Sequence, residues 1–407
     1  MKILYPTKLR PYIIISLLTI LTTIILWSPF IATNNFDTVI RHWDGPLYII
    51  PAKTLYNVND PLIQQNILGL TDKYFAAHLP GYPLTLRFLA PFVGYPKSTV
   101  LSTLLTSIAL FCAFYYINKK LRLTTKPFIL TLVFMFLTPR FFVVRSIGSP
   151  EPLFLLALLL SVYFFVARNY LFAGLLGALA VITKTPGILL WFAYIAFFCV
   201  EYVRNKKIPL SAFFLLLIPG GLLGVFTLYH FQYGDFFAYF NSGDNLHLTI
   251  PPYQVFNSSA SWVGTAWLED ILYIYFLYGY TLLELLRRLG LHIYRSKNIV
   301  AMFIHRVKER FRLTFGIEGF TSDQDRFYAV AACFVAVFYI AVVSIVHKDI
   351  SRYSLPILPF ALITFEKFFT SRKFQLLLLL LIPAIYMYAW NLMGENVMPN
   401  ANWGPFL

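Results

Sequence analysis

Charged side chains are scarce in this sequence. Only 13% of the 407 residues are Asp, Glu, Lys or Arg, and 58% are hydrophobic, whereas a soluble domain contains about 25% charged residues. A single soluble core of this length cannot bury so much apolar surface. The composition therefore argues against a soluble globular protein and predicts a chain whose main solvent is lipid.

Cysteines are few and follow no pattern. Cys112, Cys199 and Cys333 lie far apart inside apolar runs, which excludes a disulfide framework and a cysteine metal site. No His/Asp pair has the spacing of metal ligands either. We therefore expect neither a metal nor a cofactor.

Acidic residues are outnumbered by basic ones, and the net charge is +15. In a soluble protein this excess would suggest nucleic acid, but in a membrane protein it follows from the enrichment of Lys and Arg in cytoplasmic loops. We therefore expect membrane lipids, and not nucleic acid, as partners.

Long apolar runs predict eleven membrane crossings. A spanning helix needs about 20 mostly apolar residues. Nine runs come near that length, and two shorter ones lie between polar segments next to a full span. The sequence thus predicts an all-α polytopic membrane protein with a single domain over residues 1–407. The predicted spans are 12–31, 98–117, 127–137, 150–167, 170–182, 185–203, 208–230, 265–286, 326–346, 353–369 and 374–393.

The basic residues orient these spans. With the N-terminus in the cytoplasm, 23 of the 33 Lys and Arg fall in inner segments, as expected for cytoplasmic loops. Eleven of the 18 Asp and Glu fall in outer loops or at outer helix ends. Because acids contribute little to topology, their asymmetry indicates a polar site on the outer (periplasmic, extracellular or lumenal) face.

Three loops are long. The first outer loop, 32–97, contains two amphipathic pieces, 51–55 and 82–93, which are predicted as interfacial helices. The second long outer loop covers 231–264. The inner segment 287–325 is strongly basic with interleaved phenylalanines, which predicts an interfacial helix on anionic lipid at the cytoplasmic face.

Charged and aromatic side chains collect in five outer segments. Such groups near hydrocarbon usually face a protein cavity or pair with one another. Phosphate is the natural ligand of Arg and Lys, so a lipid phosphate with its tail in the bilayer fits this set. Each residue alone also has an ordinary structural explanation, such as a solvated loop acid or an arginine reaching lipid headgroups. The candidates are Asp44, His78, Arg140, Arg145, Glu151, Lys184, Asp235, His347, Lys348, Asp349, Arg352 and Tyr353.

The order of the motifs resembles the GT-C glycosyltransferases, multi-span enzymes that use polyprenyl phosphate sugars. More narrowly, it resembles the PIG-V family, the second mannosyltransferase of glycosylphosphatidylinositol assembly, and its prokaryotic relatives. Trp43 and Asp44 follow the first span, as in that family, with Tyr48 and Ala52 after them. The segment FAAHLPGYPLTLRFLAP then matches a phenylalanine-rich element with Pro-x-aromatic-Pro, in which Tyr82 is the aromatic residue.

Later elements follow in the same order. SPEPLF contains Glu151 at the start of a span, and TKTPG carries Lys184 where the family has arginine. The segment with Asp235 matches a Gly-Asp element loosely, and Arg352 precedes Pro-x-x-Pro. The resemblance covers about residues 12–365.

The resemblance implies a GT-C fold and an inverting, metal-independent glycosyl transfer on the outer or lumenal face. The donor is a polyprenyl or dolichyl phosphate sugar, with mannose as the first choice, and the acceptor is lipid-linked or a glycan. Asp44 is the expected base, with Asp235 and Glu151 as rivals. The expected phosphate ligands are Arg352, Lys348, Arg145 and Lys184, and the expected substrate-binding residues are Trp43, His78, Tyr82, Glu151, Asp235, His347 and Tyr353.

Two other functions are compatible with the sequence. One is a different GT-C enzyme that transfers another polyprenyl phosphate sugar to lipid A, a polymer or a protein. The other is a polyprenyl-phosphate transporter or flippase, which uses the outer cations but does not need Asp44. Asp44→Asn separates them, because a transferase loses turnover and still binds its donor, whereas a flippase is largely unaffected.

Overall fold

The computed structural model describes residues 9–42, 44–64, 69–205, 207–243, 248–257, 268–289, 322–347, 349–398 and 404–407. Within these ranges the chain is helical, and its strand-like pairings are two isolated bridges. The fold is therefore all-α, as predicted. Trp43, Lys348 and residues 290–321 of the basic inner segment lie outside the described residues.

Among the described residues, six helices are long and apolar enough to cross a membrane, which indicates an integral membrane protein. They cover Arg10–Ala32, Tyr95–Lys120, Thr185–Tyr202, Leu210–Tyr233, Asp323–Val343 and Arg372–Glu395. Four apolar helical stretches of the described chain are shorter, namely Pro127–Phe136, Glu151–Val166, Tyr170–Thr183 and Ile350–Thr364, the last of which is interrupted by a 3-10 turn. The remaining α-helices are Asp37–Ile40, Ile49–Thr54, Pro61–Gln64, Gly81–Val93, Pro139–Val144, Leu268–Arg288 and Glu366–Phe369.

Local signals explain several helix boundaries. Gly94 has a φ of +79° and ends helix Gly81–Val93, a conformation that glycine adopts without strain. The next helix, Tyr95–Lys120, has proline in its first turn, where the missing N–H is harmless. Ser322 and Asp325 form a reciprocal capping box at the start of Asp323–Val343.

The predicted span 353–369 is not one continuous helix. It consists of a 3-10 turn, Leu355–Ile357, followed by helices Leu358–Thr364 and Glu366–Phe369. Pro356 and Pro359 lie in the first turns of two of these pieces, because proline lacks the N–H that a helix interior needs. Arg352 lies in the short helix Ile350–Tyr353, just before the 3-10 turn.

The helix ends form two separate groups. At one end, Arg326 donates to Glu201 Oε1 at 3.0 Å, and Thr124 donates to Glu366 Oε2 at 2.9 Å. These contacts gather segments that the charge distribution predicts to be cytoplasmic. The opposite end carries Asp44, Glu151, Lys184 and Arg352, and it holds the candidate site described below.

The first outer loop packs against the last described residues of the chain. Met398 N donates to Arg41 O at 2.8 Å, and Lys53 Nζ donates to Pro405 O at 3.0 Å. Phe406 is fully buried in the cluster that also contains Tyr48. The first outer loop, which carries Asp44, is thus fixed in part by contacts with the last described residues of the chain.

Helix Gly81–Val93 is amphipathic, as the sequence predicts. Tyr82, Leu86 and Ala90 are buried, whereas Phe88 and Phe92 are 74% and 77% exposed. An apolar exposed face next to a polar loop is typical of a helix that lies in the membrane interface.

Candidate functional site

Glu151 is the centre of a charged cluster. It is the first residue of helix Glu151–Val166 and is 2% exposed. Its Oε1 accepts hydrogen bonds from Arg352 Nε at 2.6 Å and from Lys184 Nζ at 2.7 Å, and its Oε2 accepts one from the Ser149 hydroxyl. Both oxygens of this buried carboxylate are therefore engaged, and its charge is balanced by two cations.

Asp44 is joined to this cluster through Arg352. Arg352 Nη1 donates to Asp44 Oδ2 at 2.7 Å. The Asp44 side chain is 27% exposed, and no other described residue bonds to it. One oxygen of this carboxylate is therefore available to a substrate. Asp44, Glu151, Lys184 and Arg352 are called the charged network from here on.

Two glycines allow Asp44 to approach Glu151. A Cβ atom on Gly45 would lie 3.2 Å from Gly148 O, and one on Gly148 would lie 2.8 Å from Thr99 Cβ. Such distances leave no room for a side chain at Gly148 and very little at Gly45. The first outer loop therefore packs directly on the turn that precedes Glu151, which brings the two acids to the same arginine.

A small pocket, with an enclosed volume of about 20 Å³, lies beside the charged network. Its lining combines apolar side chains with a carboxylate, two cations and a tyrosine. Such a lining suits an amphiphilic ligand that sets its anionic head at the mouth of the pocket and its apolar tail along the apolar side chains. Its lining residues are Glu151, Phe154, Leu155, Lys184, Pro186, Arg352, Tyr353, Leu355 and Pro356.

A second ion pair joins Arg140 and Asp349, whose side chains are 13% and 17% exposed. Burial acts to raise the pKa of Asp349, but the Arg140 guanidinium outweighs it and the pKa is lowered. His347 Nδ1 accepts a hydrogen bond from Asp349 N at 2.8 Å, and its ring contacts that of Tyr353 at 4.8 Å. The predicted residues His347 and Tyr353 thus lie next to the charged network.

Tyr48 connects the charged network to the predicted aromatic residues. Its ring lies 4.8 Å from that of His78 and 5.0 Å from that of Tyr82. Burial, followed by the charges of Glu151 and Asp44, raises the pKa of Tyr48 well above its usual value. His78 and Tyr82 are buried as well, and Tyr48 is close enough to both acids to feel their charges. Tyr48 is not among the site residues that the sequence predicts, although its position four residues after Asp44 is a signal that could have indicated it.

Arg145 lies elsewhere, and its position corrects the prediction that it binds the donor phosphate. Its side chain is fully buried and donates to Met135 O at 3.0 Å, Thr23 Oγ1 at 3.1 Å and Thr22 Oγ1 at 3.0 Å. It also stacks on Phe142, 4.6 Å from the ring centre. A guanidinium enclosed in this way joins the first helix to its neighbours and has no open face for a ligand.

Asp235 is not part of the charged network either. It accepts hydrogen bonds from Lys73 Nζ at 2.6 Å and Asn241 Nδ2 at 2.8 Å. These two bonds lower its pKa. Asp235 therefore holds the second long outer loop against the first, which makes it a weaker rival for the role of base.

Among the described residues, no group of three or more His, Cys, Asp and Glu side chains is arranged to hold a metal ion. No protein-family model, no curated protein and no solved structure matches this chain.

Proposed function

We propose that this protein is a membrane glycosyltransferase that moves a hexose from a polyprenyl phosphate sugar to an acceptor hydroxyl. The observation that supports it best is the charged network, of which Glu151, Lys184 and Arg352 line a small pocket that also has apolar side chains. The network combines two cations suited to a phosphate with Asp44, a partly exposed carboxylate suited to proton transfer.

The donor phosphate is placed against Arg352 and Lys184, which both line the pocket. The polyprenyl tail then runs along Phe154, Leu155 and Leu355, toward the apolar helices. Guanidinium and ammonium groups in a site of low dielectric stabilise charge on a phosphate far better than they do in water. Arg140 is committed to Asp349 and is a more distant cation.

The proposed reaction is a single inverting displacement. The acceptor oxygen forms a bond to the anomeric carbon as the bond from that carbon to the phosphate oxygen breaks. The hydroxyl proton passes to Asp44, and the bonding electron pair leaves with the polyprenyl phosphate, whose added negative charge faces Arg352 and Lys184. General base catalysis of this kind contributes about 10²–10⁴-fold to the rate.

Our topology places the charged network on the outer or lumenal face, with the N-terminus in the cytoplasm and eleven crossings. It is supported by the separation of the helix ends into two groups, since Arg326 and Glu201 lie at the opposite end from Arg352. The GT-C fold, the choice of mannose and the lipid-linked or glycan acceptor rest on the motif resemblance.

The test of this proposal is the turnover of Asp44 variants. Asp44→Asn keeps the shape but cannot accept the proton, so kcat falls by at least about a hundredfold. Asp44→Glu recovers part of the rate. The matched control is Asp37→Asn, the same change at an exposed position of the same loop, which retains full turnover.

The outcome also separates the competing functions. Near-normal turnover by folded Asp44→Asn removes Asp44 as the base. Lipid movement across the membrane that continues unchanged in Asp44→Asn, with no glycosylated product from the unsubstituted protein, identifies a flippase instead.

A further inference from the structure

Arg352 is shared by two carboxylates that differ in how firmly they are held. Its Nε donates to Glu151 and its Nη1 to Asp44. The Glu151 side chain is 3% exposed and is also bonded by Lys184 and Ser149, whereas the Asp44 side chain is 27% exposed. Arg352 therefore has one fixed partner and one exchangeable partner.

The remaining nitrogen of Arg352 is open. No described residue accepts a hydrogen bond from Nη2, and Arg352 lines the pocket whereas Asp44 does not. Guanidinium binds a phosphate through two parallel N–H donors, and the Nη1–Nη2 edge offers such a pair. A phosphate that uses this edge competes with Asp44 for Nη1 and repels its negative charge.

The two carboxylates respond differently to this competition. Separating Glu151 from its cations leaves a buried charge without compensation, which is strongly unfavourable. Separating Asp44 from Arg352 leaves a carboxylate whose side chain is 27% exposed, which is less unfavourable than uncovering the charge of Glu151 at 3% exposure. The incoming phosphate therefore displaces Asp44 and leaves the bond between Arg352 and Glu151 in place.

We propose that the donor phosphate replaces Asp44 on Arg352, so that binding of the donor frees the catalytic base. This inference rests on the proposed function. Before the donor binds, one oxygen of Asp44 is held by the Arg352 guanidinium. The donor consequently binds before the step in which the acceptor loses its proton, and Glu151 is the positioning residue that keeps Arg352 on the pocket wall throughout.

The test is chemical labelling of Asp44. The purified protein in detergent micelles is treated with an apolar carbodiimide, which reacts with accessible carboxyl groups that are not ion-paired. The probe is a C55 polyprenyl phosphate, and the control lipid is the C55 polyprenol without phosphate. Adducts are quantified by mass spectrometry of peptides. Asp235, which pairs with Lys73, is the reference carboxylate in each digest.

We expect polyprenyl phosphate to increase the labelling of Asp44 by about tenfold, as the loss of one charge-assisted hydrogen bond implies. The polyprenol changes nothing, and Asp235 labels equally in every sample. In Arg352→Gln, Asp44 labels strongly without lipid and shows no further increase. Arg352→Lys serves if the glutamine variant does not fold, because a single ammonium cannot hold both carboxylates as the planar fork does.

Binding of the polyprenyl phosphate is measured in parallel, so that a failure of the proposed function is distinguished from a failure of the exchange on Arg352. If the lipid does not bind, the proposed function fails. If it binds and Asp44 labelling remains at the lipid-free level, the exchange on Arg352 is refuted while the proposed function stands.

Discussion

Replacement of Glu151 by glutamine tests the role of the charged network in both stability and catalysis. The variant removes the acceptor charge from the bonds with Arg352 and Lys184 and leaves the shape unchanged. Removing one partner of a buried ion pair costs about 3–5 kcal/mol. The side chains of the two cations keep 15% and 18% exposure, and Arg352 retains Asp44. We therefore expect a loss at the low end, about 3 kcal/mol.

We expect Glu151→Gln to affect the binding of polyprenyl phosphate and the turnover differently. Glu151→Gln leaves one more unit of positive charge beside the pocket, so polyprenyl phosphate binds at least as tightly as before. Turnover nevertheless falls by about tenfold to a hundredfold, because displacing a positioned group by about 1 Å is enough for such a loss. The Lys184 ammonium in particular has no other hydrogen-bonding partner among the described residues.

The assay is denaturant titration in micelles, followed by circular dichroism, together with lipid binding and kcat. The matched control is Glu201→Gln, which breaks the ion pair with Arg326 at the opposite end of the molecule. That control loses comparable stability but keeps its turnover per folded protein. A Glu151→Gln protein with unchanged stability and unchanged kcat would refute the reasoning.

Three further predictions follow from the site and its surroundings. Arg352→Ala raises the apparent KM for the lipid donor and lowers kcat by about a hundredfold, because the phosphate gains charge as it leaves; normal kinetics in the folded variant would remove Arg352 from the site. Burial, and then the charges of Arg140 and Arg352, lowers the pKa of His42 to about 4. As the pH falls, His42 is protonated in the unfolded state before it is protonated in the folded state. The free energy of unfolding is therefore unaffected by His42 above about pH 6.5 and falls by about 3 kcal/mol as the pH approaches 4. His42→Gln lacks that part of the acid dependence, and an identical pH profile in the variant would contradict the assignment. Single cysteines placed beside Asp44 and Arg352 react with an impermeant reagent from outside, and one placed beside Arg326 reacts only from inside; the reverse pattern would invert the topology.

The sequence predicts which charged residues lie close together, but it does not predict which of them form ion pairs. Asp44, Glu151, Lys184 and Arg352 were assigned to the outer face because alternating spans bring distant loops to one side, and they form a single network in the structure. Their pairing depends on side-chain reach and on the close contact of Gly45 with Gly148. No pattern along the chain encodes either of these.

Arg140 and Arg145 show that the position of an arginine in the sequence does not reveal the environment of its side chain. Both belong to the same outer segment, yet Arg140 pairs with Asp349 while Arg145 is fully buried among Thr22, Thr23 and Phe142. Arg140 is the second residue of the short helix Pro139–Val144 and Arg145 directly follows that helix, so between one and two turns separate an ion-paired residue from a core residue. A sequence without periodicity over so short a piece cannot distinguish them.

The sequence also does not predict the contact between the last described residues and the first outer loop. Phe406 is one of two aromatic residues among the last seven, and nothing in the sequence around Lys53 indicates that it bonds to Pro405 O. Patterns that predict packing need several turns of helix, and these contacts involve three or four residues. The six described helices that are long and apolar enough to cross a membrane, in contrast, fall where apolar runs predict spans, because each has many residues of one character.

The central claim is that the charged network transfers a sugar from a lipid phosphate. The most direct measurement incubates the purified protein with a panel of polyprenyl phosphate sugars and membrane-derived lipid and glycan acceptors, and identifies the products by mass spectrometry. We predict one new species heavier by one hexose, formed with release of polyprenyl phosphate and absent with Asp44→Asn. Release of no polyprenyl phosphate from any donor, by protein that binds these lipids, would contradict the account.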